Sequence, residues 1–184
     1  WIIWFRTDST YFLIFKIKDI HYINMSKYDI PYKKIIGDFV IDILTPNDID
    51  VDFETCVENE IHLHGLFGDE WPHNLTRDED LLDLYWHYYC FIGQTEFAWT
   101  IKLKNDTEYL GCCYYYPINN DNDDNADDNA EVYVWFKKSY TDTFKIEEFY
   151  RDFMGWIKGP EWPQVNQIAL YTPENKKMKY NKKY

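Results

Sequence analysis

The sequence predicts an α+β (α/β) domain built on a mixed central sheet, and three observations carry that prediction. "FVIDILT" at residues 39–45 alternates apolar and polar side chains, the period of a half-buried strand. Leu81, Leu84, Tyr85, Tyr88 and Phe91 repeat at helical spacing behind a capping box of Thr76 and Glu79. "AEVYVWFKKSYTDTFKIEEFYRDFMGWI" at residues 130–157 changes from period two to period 3.6 across a short polar turn, as a strand feeding a helix does.

The elements follow in order. After the strand at 39–45, Pro46 and Asn47 start a helix and Gly65 stops it, with Ile49, Phe53, Cys56 and Val57 on one face. The capped helix comes next and closes at Gly93. "EFAWTIKLK" at 96–104 and "EYLGCCYYYP" at 108–117 are rich in β-formers, and "NDT" between them suits a tight hairpin. "INNDNDDNADDN" at 118–129 is low in complexity and reads as a solvated acidic loop. In the following strand Val132, Val134 and Phe136 face one way, and Glu131, Tyr133, Trp135 and Lys137 face the other. Thr143 is placed to cap the next helix, whose apolar stripe is Ile146, Phe149, Tyr150, Phe153 and Ile157, and Gly159-Pro160 ends it. "NQIALYT" at 166–172 is the last strand. The predicted order is β-α-α-β-β-β-α-β, one domain over residues 25–173 with no internal repeat. Residues 174–184 form a basic tail expected to be disordered. Met25 is the first methionine, so residues 1–24 are expected to be a non-native artefact of gene prediction, with translated upstream sequence or part of a longer chain as the alternatives, although "YFLIFKI" within them has β character.

Composition narrows the function classes. The chain has 184 residues, 46% hydrophobic and 20% aromatic, enough for one sizeable core. Its net charge is −13 although its last nine residues carry five lysines and no acid. Such a body repels phosphate backbones, which argues against a nucleic-acid partner, and it steers cationic amines favourably; the plainer reading of the charge is solubility. No apolar run approaches the ~20 residues that span a bilayer. Cys56, Cys90, Cys112 and Cys113 include no CxxC pair, which suits a reducing compartment, the cytoplasm.

Several motifs invite chemistry and are better read as structure. Cys112 and Cys113 point to opposite faces of a strand and have no sequence-local activating partner. His62 and His64 share no helical face and have no third ligand at metal-binding spacing. A calcium loop begun at Asp121 puts Ala126 where glycine is needed and Val132 where a bidentate Glu is needed.

"FVIDILTPNDI", "FAWTIKLKNDTEYLGCCYYYP", "AEVYVWFKK" and "EEFYRDFMGWI" together resemble the GNAT superfamily of acyl-CoA N-acyltransferases, over about residues 39–172. The resemblance implies that the strands at 131–137 and 167–171 splay apart and that acetyl-CoA, the acyl donor, lies in the resulting V. Its pantetheine would pair with main-chain groups near Val134 and Phe136, and its pyrophosphate would sit in the turn of Lys138, Ser139, Tyr140, Thr141 and Thr143. Glu131 lies on the strand that carries the base carboxylate in many relatives, and the plainer reading is a solvated glutamate at a strand start. The implied reaction is acetyl transfer to the amine of a small molecule or peptide by direct attack in a ternary complex. Two features depart from the family. The usual C-terminal α-β-β extension, whose helix carries the tyrosine general acid, is expected to have no counterpart here, and Tyr171 or Tyr180 is at most a guess for that role. The turn "KSYTDTF" also has no glycine. A helix N-terminus grips anions through unpaired N–H groups alone, glycine lets the backbone approach closely, and Asp142 competes with a phosphate for those groups. The alternative is therefore a catalytically degenerate GNAT-like binding or structural domain, with an interaction module using the acidic loop as a third reading.

Overall fold

A computed structural model describes residues 3–7, 10–14, 30–118, 129–140, 142–162 and 165–175. The strands β1 (Ile3–Thr7) and β2 (Thr10–Ile14) pair antiparallel as a two-stranded sheet of their own, Ile3 opposite Ile14. The main sheet has six strands: β3 (Lys33–Ile36), β4 (Phe39–Ile43), β5 (Phe97–Leu103), β6 (Tyr109–Ile118), β7 (Asn129–Phe136) and β8 (Gln167–Tyr171), adjacent in that order. Every pair is antiparallel except β7–β8. That last pair is parallel because the helix α4 (Thr143–Ile157) carries the chain back before β8 begins, as a parallel connection requires. Three more helices lie between β4 and β5: α1 (Ile49–Glu58), the single turn α2 (Glu60–Leu63) and α3 (Arg77–Ile92).

The alternation read in β7 divides the molecule into two cores. Val132, Val134 and Phe136 pack with Phe149, Phe153 and Ile157 of α4, while Tyr133 and Trp135 join Leu44, Ile49, Cys56 and Leu84 beneath α1 and α3. Cys113 belongs to the first core and Cys112 to the second. Trp99, Trp135, Phe149 and Phe153 are among the largest fully buried side chains, and burying a side chain of the Phe or Leu class contributes ~1.5–3 kcal/mol. The capping box is formed: Thr76 Oγ1 accepts from Glu79 N–H, and Glu79 Oε2 accepts from Thr76 N–H.

The structure corrects the sequence reading at several points. β3 was not expected; four residues are too few for a period to show, and the strand is placed by the turn at Gly37, which takes a φ of +57°. The helix expected from Pro46 to Gly65 opens as a 3-10 turn at Pro46–Asp48 and breaks at Asn59 into α1 and α2. Val57, expected inward, is 44% exposed, while Asp52 is buried. On α3, Tyr85 and Tyr88 were expected in the core and are exposed, whereas His87 and Cys90 are buried. Tyrosine serves either side of an amphipathic helix, so here residue type misplaced the seam. α4 is capped by Asp142, not Thr143: the Asp142 carboxylate accepts from Lys145 N–H at 3.2 Å, and Thr143 is the first helical residue. The acidic loop (119–128) and most of the basic tail (176–184) lie outside the described residues.

Candidate active site

Pairing between β7 and β8 ends at Tyr133–Tyr171, but β7 runs on through Val134, Trp135 and Phe136. Lys137 N–H donates to Leu110 O of β6 at 2.7 Å. Main-chain direction alternates along an antiparallel ladder, so Val134 and Phe136 turn their N–H and C=O groups to the side where β8 has ceased to pair. β8 itself ends at Tyr171, so among the described residues this side of β7 has no strand partner from Val134 up to the turn leading into α4.

A carboxylate stands where the β7–β8 pairing ends, the apex of the candidate site. Glu131 accepts from Tyr133 OH at 2.8 Å and from Tyr171 OH at 3.4 Å, one phenol from each strand of the parallel pair. The two rings stack at 4.9 Å, and Phe67 covers Tyr133 at 4.7 Å. Burial first, then the neighbouring Glu131 carboxylate, pushes both phenols above their ordinary range. They are therefore hydrogen-bond donors throughout the neutral range, fixed on Glu131. Tyr171, which sequence reasoning reached only as a guess, belongs to this cluster because the parallel register sets it beside Tyr133.

The turn is built differently from the expectation. Lys138 N–H donates to the side-chain oxygen of Asn59 at 2.6 Å, and Tyr140 N–H closes back on Lys137 O at 2.9 Å. The Tyr140 ring stacks on Phe136 at 5.8 Å and meets Phe39 edge-on, so Tyr140 supports the turn from below. The Lys137 ammonium is drawn away to Glu108. Ser139 and Thr143 are exposed, and Thr141 lies outside the described residues. Beside the turn, Val57–His62 and Lys138 line a cleft of about 410 Å³. Asn59 was missed in the sequence; the only signal was a polar residue near the end of an amphipathic stretch, and nothing in the spacing showed that it reaches residue 138.

A second buried polar group was also missed. Asp52 of α1 accepts from Tyr109 OH, and the Cys112 and Cys56 thiols lie 3.7 Å from its two oxygens. Asp80 of α3 is buried beside it, and burial followed by the Asp52 charge pushes its carboxyl up to about 8. Asp52 recurs four residues from Cys56 on the inward face of α1, the one trace of this group in the sequence. Among the described residues no three His, Cys, Asp or Glu side chains are grouped to hold a metal ion. His62 faces Glu174 at 3.9 Å and His64 faces Glu70 at 3.5 Å.

No protein-family model matches the chain, and no curated protein matches it in sequence. Solved structures do match. RimL, a ribosomal L7/L12 alpha-N-protein acetyltransferase solved with coenzyme A, aligns with a TM-score of 0.56 at 12% identity, over 71% of this chain and 70% of that one. A ribosomal-protein-S5-alanine acetyltransferase from Vibrio fischeri aligns with a TM-score of 0.54 at 12% identity, over 71% and 68%. The microcin C7 self-immunity acetyltransferase MccE, solved with acetyl-CoA and AMP, aligns with a TM-score of 0.51 at 11% identity, over 66% and 63%. This chain has the GNAT acetyltransferase fold. At this level of identity the likeness concerns the path of the backbone: a meander, a parallel pair and the helix that connects its two strands. Within that GNAT frame the side chains at the apex and the turn are this chain's own.

Proposed function

We propose that the chain is an acetyl-CoA-dependent N-acyltransferase that acetylates a cationic amine, small or peptide-borne. The observation that supports it best is a parallel pair that stops at Tyr133–Tyr171 while β7 continues, among the described residues without a strand partner on that side, into the turn before α4. The main chain of β7 beyond Tyr133 favours the cofactor's arm, while the Asn59 and Asp142 oxygens at the turn compete with its phosphates. The main chain of Val134 and Phe136 would pair with the pantetheine arm, and Lys138, Ser139, Tyr140, Thr141 and Thr143, ahead of the α4 N-terminus, would meet the pyrophosphate. Acetyl-CoA, when bound, supplies the acyl group as an activated thioester. Glu131 takes the proton that the incoming amine must lose, and the Tyr133 and Tyr171 phenols hold its carboxylate in one orientation. One structural neighbour is by name an alpha-N-protein acetyltransferase and another a ribosomal-protein-S5-alanine acetyltransferase, and the first supports an amine acceptor. The net charge of −13 supports a cationic one and argues against nucleic acid. Four buried free thiols support a reducing compartment such as the cytoplasm, and among the described residues no helix is long and apolar enough to cross a membrane.

Titrating acetyl-CoA while following the melting temperature tests this reading. Saturable stabilisation of about 2.7 kcal/mol is expected at a hundred times Kd, which raises Tm by roughly 5–10 °C. No shift at millimolar acetyl-CoA overturns it. Glu131→Gln keeps the shape of the apex and removes the base. It is expected to lower kcat by about 100-fold, with acetyl-CoA affinity unchanged. Equal loss of kcat and of acetyl-CoA affinity would instead mark Glu131 as structural.

A second reading has its own support. The Asp142 carboxylate caps α4 and the Asn59 amide occupies Lys138 N–H, so oxygens of the chain itself stand where a phosphate would. A GNAT fold used for binding or scaffolding, without acyl transfer, accommodates both contacts, and the same titration separates the two.

A further inference from the structure

We propose that Asn59 is a gate on the cofactor site, its side-chain oxygen holding the turn N–H that a phosphate oxygen of the incoming cofactor takes over. The inference rests on the acyltransferase reading and adds to it how that site is controlled.

Asn59 is built into this position. It caps α1, with its own N–H bonded to Thr55 O and Cys56 O, and its side-chain NH₂ donates to Thr55 O at 2.8 Å. With that amide end fixed, the carbonyl end points out of the helix and accepts from Lys138 N–H at 2.6 Å, across 79 residues of sequence. The residue is only 7% exposed. A carboxamide oxygen is a neutral acceptor; a phosphate oxygen is a charged one and makes a bond roughly twice as strong to the same donor. The exchange therefore runs in favour of the anion, while in its absence the amide keeps a half-buried N–H satisfied. This gives a physical account of a phosphate turn without glycine: the site is held ready by a side chain rather than left open.

The surroundings allow the exchange. The break between α1 and α2 falls at Asn59, where the backbone leaves helical geometry at φ −109° and ψ +15°. The cleft of about 410 Å³ along Val57–His62 and Lys138 adjoins the contact, so a displaced side chain has space to enter. The same short segment also contacts the chain after β8, where His62 of α2 faces Glu174 at 3.9 Å. The α1–α2 junction thus touches the turn after β7 through Asn59 and the segment after β8 through His62.

Calorimetric titration of the full chain with coenzyme A, and separately with phosphate-free acetyl-pantetheine, tests the gate. Asn59→Ala removes the competing oxygen and is expected to tighten coenzyme A roughly three- to tenfold, the effect of one net hydrogen bond, with no change for acetyl-pantetheine. Asn59→Asp keeps an acceptor, adds a negative charge against the pyrophosphate and is expected to weaken coenzyme A. If Asn59→Ala lowers stability too far to titrate, Asn59→Ser is used, and the Lys138 amide resonance of the wild-type chain, which is expected to shift on adding coenzyme A, reports the exchange directly. Coenzyme A binding that is unchanged or weaker in Asn59→Ala, or a Lys138 amide that does not respond in the wild type, overturns the gate and leaves the acyltransferase reading standing. No coenzyme A binding by wild type or by any variant overturns both.

Discussion

Replacing Gly111 with alanine is expected to leave no folded domain at 37 °C. Gly111 sits in β6 opposite Phe136 and next to a bulge, where the register with β5 slips so that Leu110 is left over between the partners of Ile101 and Lys102. Its φ is +152°, and a Cβ there would lie 2.0 Å from the Trp135 carbonyl oxygen and 3.0 Å from the Phe136 Cα. Both obstacles are backbone in the middle of a sheet, so neither can rotate aside. Relief would require parting β6 from β7, the pair that carries both cores. A cost above ~4 kcal/mol is of the class that single substitutions reach only through such named faults, and it is a large part of a domain's total stability. Circular dichroism and thermal melting of Gly111→Ala check this. Gly155→Ala is the control: Gly155 is exposed on α4 with nothing within 4 Å of an added Cβ, and it is expected to gain about 0.5–1 kcal/mol from helix propensity. A Gly111→Ala protein that melts within 2 °C or so of wild type would show that the β6–β7 approach is not as close as described.

The second large effect is a loss of stability as pH rises from about 4 to about 8. Asp80 is raised from an ordinary 3.8 to about 8, by burial first and then by the charge of Asp52. Asp52 is raised as well, by burial, against the opposing hydrogen bond from Tyr109. In the unfolded chain both carboxyls ionise near their ordinary value. Between that value and about 8 the native state therefore holds a proton that the unfolded state has released, and stability falls with each step upward in pH. The loss is complete above about 8. Tyr109, Cys56 and Cys112 are also pushed up by burial and stay neutral across this window. The other charged neighbours are Asp83, which raises both carboxyls, Arg77, which lowers Asp80, and His87, which lowers Asp52. Asp80→Asn puts a neutral amide in place of the buried carboxyl beside Asp52. It is expected to raise Tm by roughly 5–10 °C at pH 8.5 while changing little at pH 4.5, so the wild-type slope flattens. Melting curves across pH 4–9 for both proteins measure this directly; a wild-type Tm that does not fall over that range would mean that burial beside Asp52 does not keep Asp80 protonated.

Much of the frame was legible in the chain. The strands at 39–43, 97–103, 109–118 and 129–136 were readable because β-branched and aromatic residues alternate there, and α4 because its stripe of Phe149, Phe153 and Ile157 keeps a 3.6-residue period. Glu131, Val134 and Phe136 were named as a set through the family resemblance of their strand, and in the structure Glu131 lies within the β7–β8 pairing while Val134 and Phe136 lie just beyond it. The inward face of α3 was misread at Tyr85 and Tyr88, since Tyr is tolerated in core and solvent alike and the period alone leaves the face free to rotate by a residue.

What lay in the sequence, then, was everything governed by neighbours along the chain: periodicity, the Thr76–Glu79 cap, the hairpin after β5 and the strand–turn–helix around Lys138. What waited for the fold was every contact between residues far apart in number. Asn59 on Lys138, Tyr171 beside Tyr133 on Glu131, and Asp52 against Asp80 are each set by how layers stack and where strands stop pairing. Local patterns report the period of an element and the face it can bury. They carry no information on which polar group of another element meets that face, and in this protein those meetings form both the apex carboxylate and the occupied turn.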